Sequence, residues 1–326
     1  MAKAAALIGA LGVFITLHAH AQSAPGASAF PVRPIRLVVP TAAGGGVDTA
    51  ARIVGQALTE TWGQQVVVDN RAGGSGIIGS EIVARAAGDG YTLLVAPTTF
   101  STSKSLFKKL PFDPVRDFTP VSLISNEPNI LVVHPSLAVQ SVKELIALAK
   151  SQPDRLNYGY GGIGSTASLS GALFRLKTGV NMTGVSYKGN GPAVNALLAG
   201  ETQVMFVGLP PTLSFIKSGK LRALAVTSRV RSPFLPGAPT VIEADVPDYE
   251  VTNWIGVLAP SSTPRAVIQK LNGELVRLLA SPSVKERFAF HGVVPDSTTP
   301  EEFAKFLDAE LNRWAQVIKA AGIRNN

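Results

Sequence analysis

The sequence predicts an α/β protein of two lobes, the second inserted into the first. Three observations carry this prediction. Short apolar runs alternate with helix-period segments over most of the chain. A strand-helix-strand-helix-strand series opens the chain after residue 33 and the alternation resumes near residue 129. After a proline-rich stretch at residues 231–247, one more strand leads into an all-helical end. The 326 residues suit two domains, and a hydrophobic content of 46% is ample for two cores.

The elements follow in order. Residues 34–40 form a short buried strand, and Gly44-Gly45-Gly46 leads into a helix with Val47, Ala51, Val54, Leu58 and Trp62 on one face. Residues 65–69 are a strand, 77–87 a helix and 91–96 a third strand. Residues 129–134 are the next strand. Ser141 and Glu144 make a capping box that opens a helix to Lys150. Strands at 156–158, 183–187, 204–207 and 221–227 alternate with helices at 167–177 and 192–198. A strand at 254–258 precedes the helical end. There Thr263-Pro264 and Ser281-Pro282 read as an N-cap followed by proline at the first helical position. Thr299 to Glu302 is a further capping box, followed by an apolar stripe of Phe303, Phe306, Leu307, Leu311, Trp314, Ile318 and Ala321. Lobe boundaries are expected at 22–125 plus 251–326 for the first lobe and 126–250 for the second. Two crossings make a hinge, and a hinge between lobes makes a cleft able to close on a ligand.

Composition excludes several function classes. Without cysteine there are no disulfides, thiol nucleophiles or thiolate metal sites. The net charge of +8 is scattered, and no basic run is interleaved with aromatics, which argues against nucleic acid as a partner. Lys3, the apolar run at residues 4–17 and Ala19-His20-Ala21 have the pattern of a secretory signal peptide over residues 1–21, cleaved after Ala21. The run is shorter than the roughly 20 residues of a spanning helix. The expected location is the periplasm, where ATP and nicotinamide cofactors are not normally supplied.

Two segments match the dinucleotide pattern G-x-G-x-x-G, starting at Gly74 and at Gly159. Neither is followed by the acidic residue that would bind a ribose about 20 residues on. What remains is the physics of glycine-rich turns before helices, which bring unpaired N–H groups and a partial positive charge close to a ligand. Three turns have this character, at residues 41–48, 71–79 and 160–168. Residues 156–200 carry no acid but contain Arg175, Lys177 and Lys188, a field that favours an anion.

These segments resemble the Bug family of periplasmic solute receptors, the binding component of tripartite tricarboxylate transporters. The resemblance spans essentially the whole chain after the signal segment. It is carried by Pro40-Thr41-Ala42-Ala43-Gly44-Gly45-Gly46-Val47-Asp48, by Asp69-Asn70-Arg71-Ala72-Gly73-Gly74, by Gly88-Asp89-Gly90-Tyr91, by Leu110-Pro111-Phe112-Asp113-Pro114 and by Tyr187-Lys188-Gly189-Asn190-Gly191-Pro192. Residues 216–226 and 254–260 add to it. The resemblance implies a two-lobe periplasmic binding protein of the Venus-flytrap type, each lobe a mostly parallel sheet flanked by helices. It implies a small organic carboxylate as ligand, no cofactor, no metal and a monomer. The implied partners are the membrane subunits of a tripartite transporter; a ligand-presenting sensor for a membrane kinase is the alternative.

Carried over residue by residue, the first-lobe ligand turn is Thr41, Ala42, Ala43, Gly44 and Gly45, with Asp48 in the next helix either at the ligand or stabilising the helix start. The second-lobe turn contributes Gly162, Gly164, Ser165, Thr166 and Ser168, the serines and threonine serving either the ligand or as N-caps. Thr99 is inferred in the cleft from a segment, 98–106, that is a few residues shorter than usual for the family. The family often has histidine where Ser168 stands and aspartate where Val207 stands. With valine there, the cleft wall is expected to lack an anion, which disfavours ammonium ligands and leaves room for apolar or aromatic acids. A hydrolase is the competing class. No G-x-S-x-G occurs, His134 and His291 read as structural, and no paired carboxylates stand near the glycine turns, so the chain is expected not to be an enzyme.

Overall fold

The computed structural model describes residues 30–323. The signal-segment expectation lies outside the described residues. In chain order, β1 (Ile35–Val39), α1 (Gly46–Trp62), β2 (Val66–Asn70), α2 (Ile77–Ala84), β3 (Thr92–Pro97) and α3 (Thr99–Leu106) precede a 16-residue strand, β4 (Phe118–Val133). Next come α4 (Val142–Ser151), β5 (Asn157–Tyr160), α5 (Thr166–Thr178), β6 (Thr183–Ser186), α6 (Asn190–Leu198), β7 (Val204–Gly208), α7 (Leu213–Lys217) and β8 (Arg222–Val226). The chain ends with β9 (Thr252–Pro260), α8 (Arg265–Ala280), α9 (Pro282–Phe290) and α10 (Pro300–Ala320).

One long strand joins two sheets. The first sheet runs β2-β1-β3-β9-β4 and the second runs β8-β4-β7-β5-β6. Residues 118–128 of β4 pair with β9, and residues 129–133 pair with β7 and β8. The outer strands are parallel, as expected: β1 with β2 and β3, and β5 with β6 and β7. The strands at the junction are antiparallel, because β4 leaves the first sheet where β9 later returns to it.

Side chains alternate across each sheet with a period of two. In the first sheet Leu37, Val39, Leu93 and Val95 face α1, α8 and α9, while Val38, Leu94 and Ala96 face α2, α3 and α10. In the second sheet Leu131, Val133, Val204 and Phe206 face α5 and the last turns of α10. Ile130, Val132, Met205 and Val207 face α6. Helix α10 therefore covers both sheets: Phe303, Leu307 and Leu311 pack on the first, and Trp314, Val317 and Ile318 on the second. Its approach depends on Gly256 of β9, where a Cβ would lie 2.3 Å from the Phe303 ring.

The Thr299 capping box is complete, and Ser141 accepts from the Glu144 N–H, although Glu144 reaches back to the Gln140 N–H and not to Ser141. Ser281 stands at the N-cap before Pro282, but its hydroxyl donates to the Leu278 carbonyl at 2.6 Å instead of capping the helix. The expected Thr263 cap is absent. Helix α8 is capped at Pro264, and the Thr263 hydroxyl is buried without a partner.

Candidate functional site

A cavity of about 510 Å³ lies between the two sheets, over the crossing strands. Its walls come from the starts of four helices. These are Gly46 and Val47 of α1, Thr98 and Thr99 at α3, Ser165 and Thr166 at α5, and Asn190 of α6. The first N–H groups of a helix have no partner inside it, so four such ends make a positive field without a cationic side chain. No lysine or arginine lines the cavity.

Helix α1 starts where it does because Gly44-Gly45-Gly46 makes the turn into it, with Gly44 at a φ of 84°, and Asp48 ties the turn down. Its carboxylate accepts hydrogen bonds from the Gly44 N–H at 2.8 Å and from Arg52 Nε at 2.9 Å. Burial opposes its ionisation. The bonds from Arg52, Gly44 and Asn70 outweigh that and hold its carboxyl below the usual carboxylate range. Asn70 also donates to the Thr41 carbonyl at 3.2 Å. The turn is thus braced from behind, with the Thr41 side chain facing the cavity.

The second-lobe turn is built around α5. Ser165 caps the helix by accepting from the Ser168 N–H at 3.2 Å, which leaves the serine proton free to donate. Gly164 faces Leu106 of α3, and a Cβ there would sit 2.3 Å from the leucine methyl. A larger residue would push the Leu106 side chain aside and would have to adopt the left-handed backbone that Gly164 takes here, at a φ of 76°. Thr166 donates to Asn253 Oδ1, Asn253 donates to Asn129 Oδ1 at 2.6 Å, and Asn129 donates to Ser170 at 2.9 Å. This polar chain couples the α5 turn to both crossing strands.

The floor is formed by β4 and β9. Ser125 and Glu127 lie two residues apart on β4, on one face of the strand, and Glu127 stands opposite Asn253. The hydroxyls of Thr41 and Ser125 have no partner within the protein. Ile53, Ile255, Phe288 and Val293 make an apolar wall, with the exposed His291 at the end of α9 beside it.

The structure brings Thr41, Thr99, Ser165 and Thr166 together at the cavity. Ala42, Ala43, Gly44 and Gly45 form the exposed rim of the first turn rather than the lining. Asp48 is buried behind that turn, as a brace. Gly162 and Gly164 shape the second turn, and Ser168 is buried in the first turn of α5. Val207 is 1% exposed and packs against α6 among Ile130, Val132 and Met205. It is part of the hydrophobic core and not of the cleft wall, because β7 presents its odd-numbered residues here to α6. The expected lack of an anion in the cleft is therefore corrected: Glu127 supplies a carboxyl there from a different strand. The third glycine turn, residues 71–79, is structural. Gly76 and Gly79 pack on Pro40, and the turn stands behind Pro97 and Thr99 without lining the cavity itself.

Sequence reasoning missed Ser125, Glu127, Asn190, Asn253 and the position of His291. Asn190 had a readable signal, since Gly189-Asn190-Gly191 before a helix is a fourth glycine turn. Ser125, Glu127 and Asn253 stand on the predicted crossing segments, which form the floor of any cleft between lobes.

Residues 50–323 match the tripartite tricarboxylate transporter family receptor. The chain belongs to this family. Within it, the chain is 37% identical over 320 residues to protein BugT of Bordetella pertussis, covering 98% of each. A solved structure of R. palustris Rpa4515 with adipate shares 38% identity and a TM-score of 0.79, covering 91% of this chain and 100% of that one. MatC of Rhodopseudomonas palustris, solved with bound malate, shares 33% identity and a TM-score of 0.74, covering 89% and 100%. No helix among the described residues is long and apolar enough to cross a membrane.

Proposed function

We propose that this protein is a periplasmic receptor that closes around a small carboxylate and delivers it, unaltered, to tripartite-type membrane subunits. The observation that carries the reading is the convergence of four helix N-termini on one cavity that no lysine or arginine lines. Such a site neutralises an anion with dipoles and hydroxyls, and leaves no activated nucleophile. One lobe comprises residues 22–125 and 251–326, and the other residues 126–250, with export after Ala21. The ligand carboxylate is held by the first-turn amides of α1 and α5 and by the hydroxyls of Thr41, Ser125 and Ser165, while Thr166, whose proton goes to Asn253, fixes the α5 turn beside it. Charge-assisted bonds contribute about 1.5–3 kcal/mol each, so a few of them, less ordering costs, reach micromolar affinity. The adipate and malate in the related structures support this class of ligand.

A thermal-shift screen of dicarboxylates, tricarboxylates, aromatic acids and amino acids tests the proposal. At a ligand concentration 100 times Kd, binding adds about 2.7 kcal/mol, and the melting temperature rises by roughly 5 °C. The acid is recovered chemically unchanged. A screen in which no carboxylate stabilises the protein, or in which the stabilising compound is turned over, contradicts the reading.

A further inference from the structure

Glu127 is the unexpected group in this cleft. A site built to attract an anion holds a carboxyl of its own, and that carboxyl has no hydrogen-bond or ion-pair partner among the described residues. Strand geometry fixes its direction. Ser125 and Glu127 share one face of β4, and Glu127 stands opposite Asn253, so its side chain is on the cavity side with theirs. The neighbouring ionisable groups do not compensate it. His291 lies on the cavity side. Glu127 also borders a second cavity of about 350 Å³, lined as well by Arg229, Arg231, Glu250 and Asp296. Arg229 is paired with Glu250 at 2.7 Å and Arg231 with Glu243 at 2.9 Å, so both cations are committed.

We propose that Glu127 binds the ligand in its protonated form, donating a hydrogen bond to a second oxygen of the acid, so that each carboxylate enters the cleft together with one proton. The inference rests on the carboxylate reading above and refines it. Two carboxylates sharing a cavity this size repel, and a proton on one of them replaces repulsion with a hydrogen bond. Burial alone already raises the Glu127 carboxyl from 4.5 to about 7. A ligand anion pushes it further in the same direction. The accepted class is then acids with a second acceptor, such as dicarboxylates and hydroxy acids. Amino acids are the competing class, because an ammonium group would pair with the ionised form and drive a proton off Glu127 instead of bringing one in.

Calorimetric titration with adipate, malate and the most stabilising acid of the screen, in buffers of different ionisation enthalpy, reads the proton directly. The wild-type protein is expected to take up close to one proton per ligand at pH 8 and almost none at pH 6, where Glu127 is already protonated. Its Kd should weaken about tenfold per pH unit above pH 7.5, while these acids are fully ionised throughout. Glu127→Gln, which keeps the shape and a permanent donor, should show no proton uptake and a flat Kd from pH 6 to 8.5. His291→Gln should keep the proton uptake whatever its affinity. Carboxylates that bind without proton uptake overturn this inference alone, as does uptake that survives in Glu127→Gln or vanishes in His291→Gln. Tightest binding by amino acids with proton release also overturns it. Absence of any carboxylate binding to either protein removes the underlying receptor reading and this inference with it.

Discussion

Replacing Thr166 with aspartate is expected to weaken carboxylate binding by roughly a hundredfold while the protein stays folded. Thr166 is the first residue of α5 and lines the cleft. An acid in the first helical turn interacts favourably with the helix dipole, by about 0.3–1 kcal/mol, so the helix itself tolerates the change. The ligand does not. Two like charges roughly 5 Å apart at an effective dielectric constant near 20 repel by about 3 kcal/mol, a factor of about 150 in Kd. The substitution also removes the hydroxyl donor to Asn253, and with it the link between the α5 turn and the crossing strands. Calorimetry gives the affinity, and a thermal melt without ligand confirms that the fold is retained within a few degrees. Thr166→Ser keeps the hydroxyl and is expected to bind within a few-fold of wild type. Equal affinities for the aspartate and serine variants would place the ligand away from α5.

The largest loss of stability is expected at Glu310. This residue of α10 is 3% exposed, and its Oε2 accepts from both Trp254 Nε1 at 3.1 Å and Trp314 Nε1 at 2.8 Å. Its other oxygen is paired with Arg313, whose guanidinium also donates to the Glu250 carbonyl at 2.7 Å. Burial raises the Glu310 carboxyl, and Arg313 and the two indoles oppose that shift. Glu310→Ala leaves two buried indole N–H groups unpaired and a partly buried arginine without its anion. Breaking one side of a buried pair typically costs about 3–5 kcal/mol. Denaturant melts should show a loss of that size. Glu310→Gln should cost less, because its amide oxygen still accepts from the indoles while its N–H₂ group faces Arg313 unfavourably. Trp254 lies at the cleft and Trp314 in the second core, so the loss extends to both lobes. A loss below about 1 kcal/mol for the alanine variant would mean that Glu310 does not hold α10 to the junction.

Most of the fold was legible because it depends on period and punctuation. The three-glycine turn before Val47, the Ser141 cap, the Thr299 box and the alternation in β1, β3 and β7 all have local causes. Three elements did not read out: the first half of β4, α3 and the single-turn α7. Strand β4 is long, but its first half contains Pro120 and Pro128, and register shifts at 120–122 and 123–125 break the period of two. Helix α3 is rich in serine and threonine, residues with no strong helix preference. It persists because Ser101 and Ser103 return their hydroxyls to the Thr98 and Phe100 carbonyls, each at 2.7 Å, and Phe100 packs against Phe112 and Phe118.

The site divides along the same line. Thr41, Ser165 and Thr166 sit beside glycines before helices, so a local rule finds them. Glu127 and Asn253 are 126 positions apart and meet only through β4–β9 pairing, which no local pattern reveals. Val207 shows the opposite error. Its place in the chain suggests a cleft wall, but the alternation of β7 turns it toward α6.

The most direct measurement is a crystal structure of the protein with the acid that stabilises it most. The receptor account expects one carboxylate in the cavity of about 510 Å³, with its oxygens about 2.7–3.1 Å from first-turn amides of α1 or α5 and from the Ser125 or Thr41 hydroxyl. An acid seated instead in the neighbouring cavity, against Arg229 and Arg231, would mean that these helix starts are not what holds the anion.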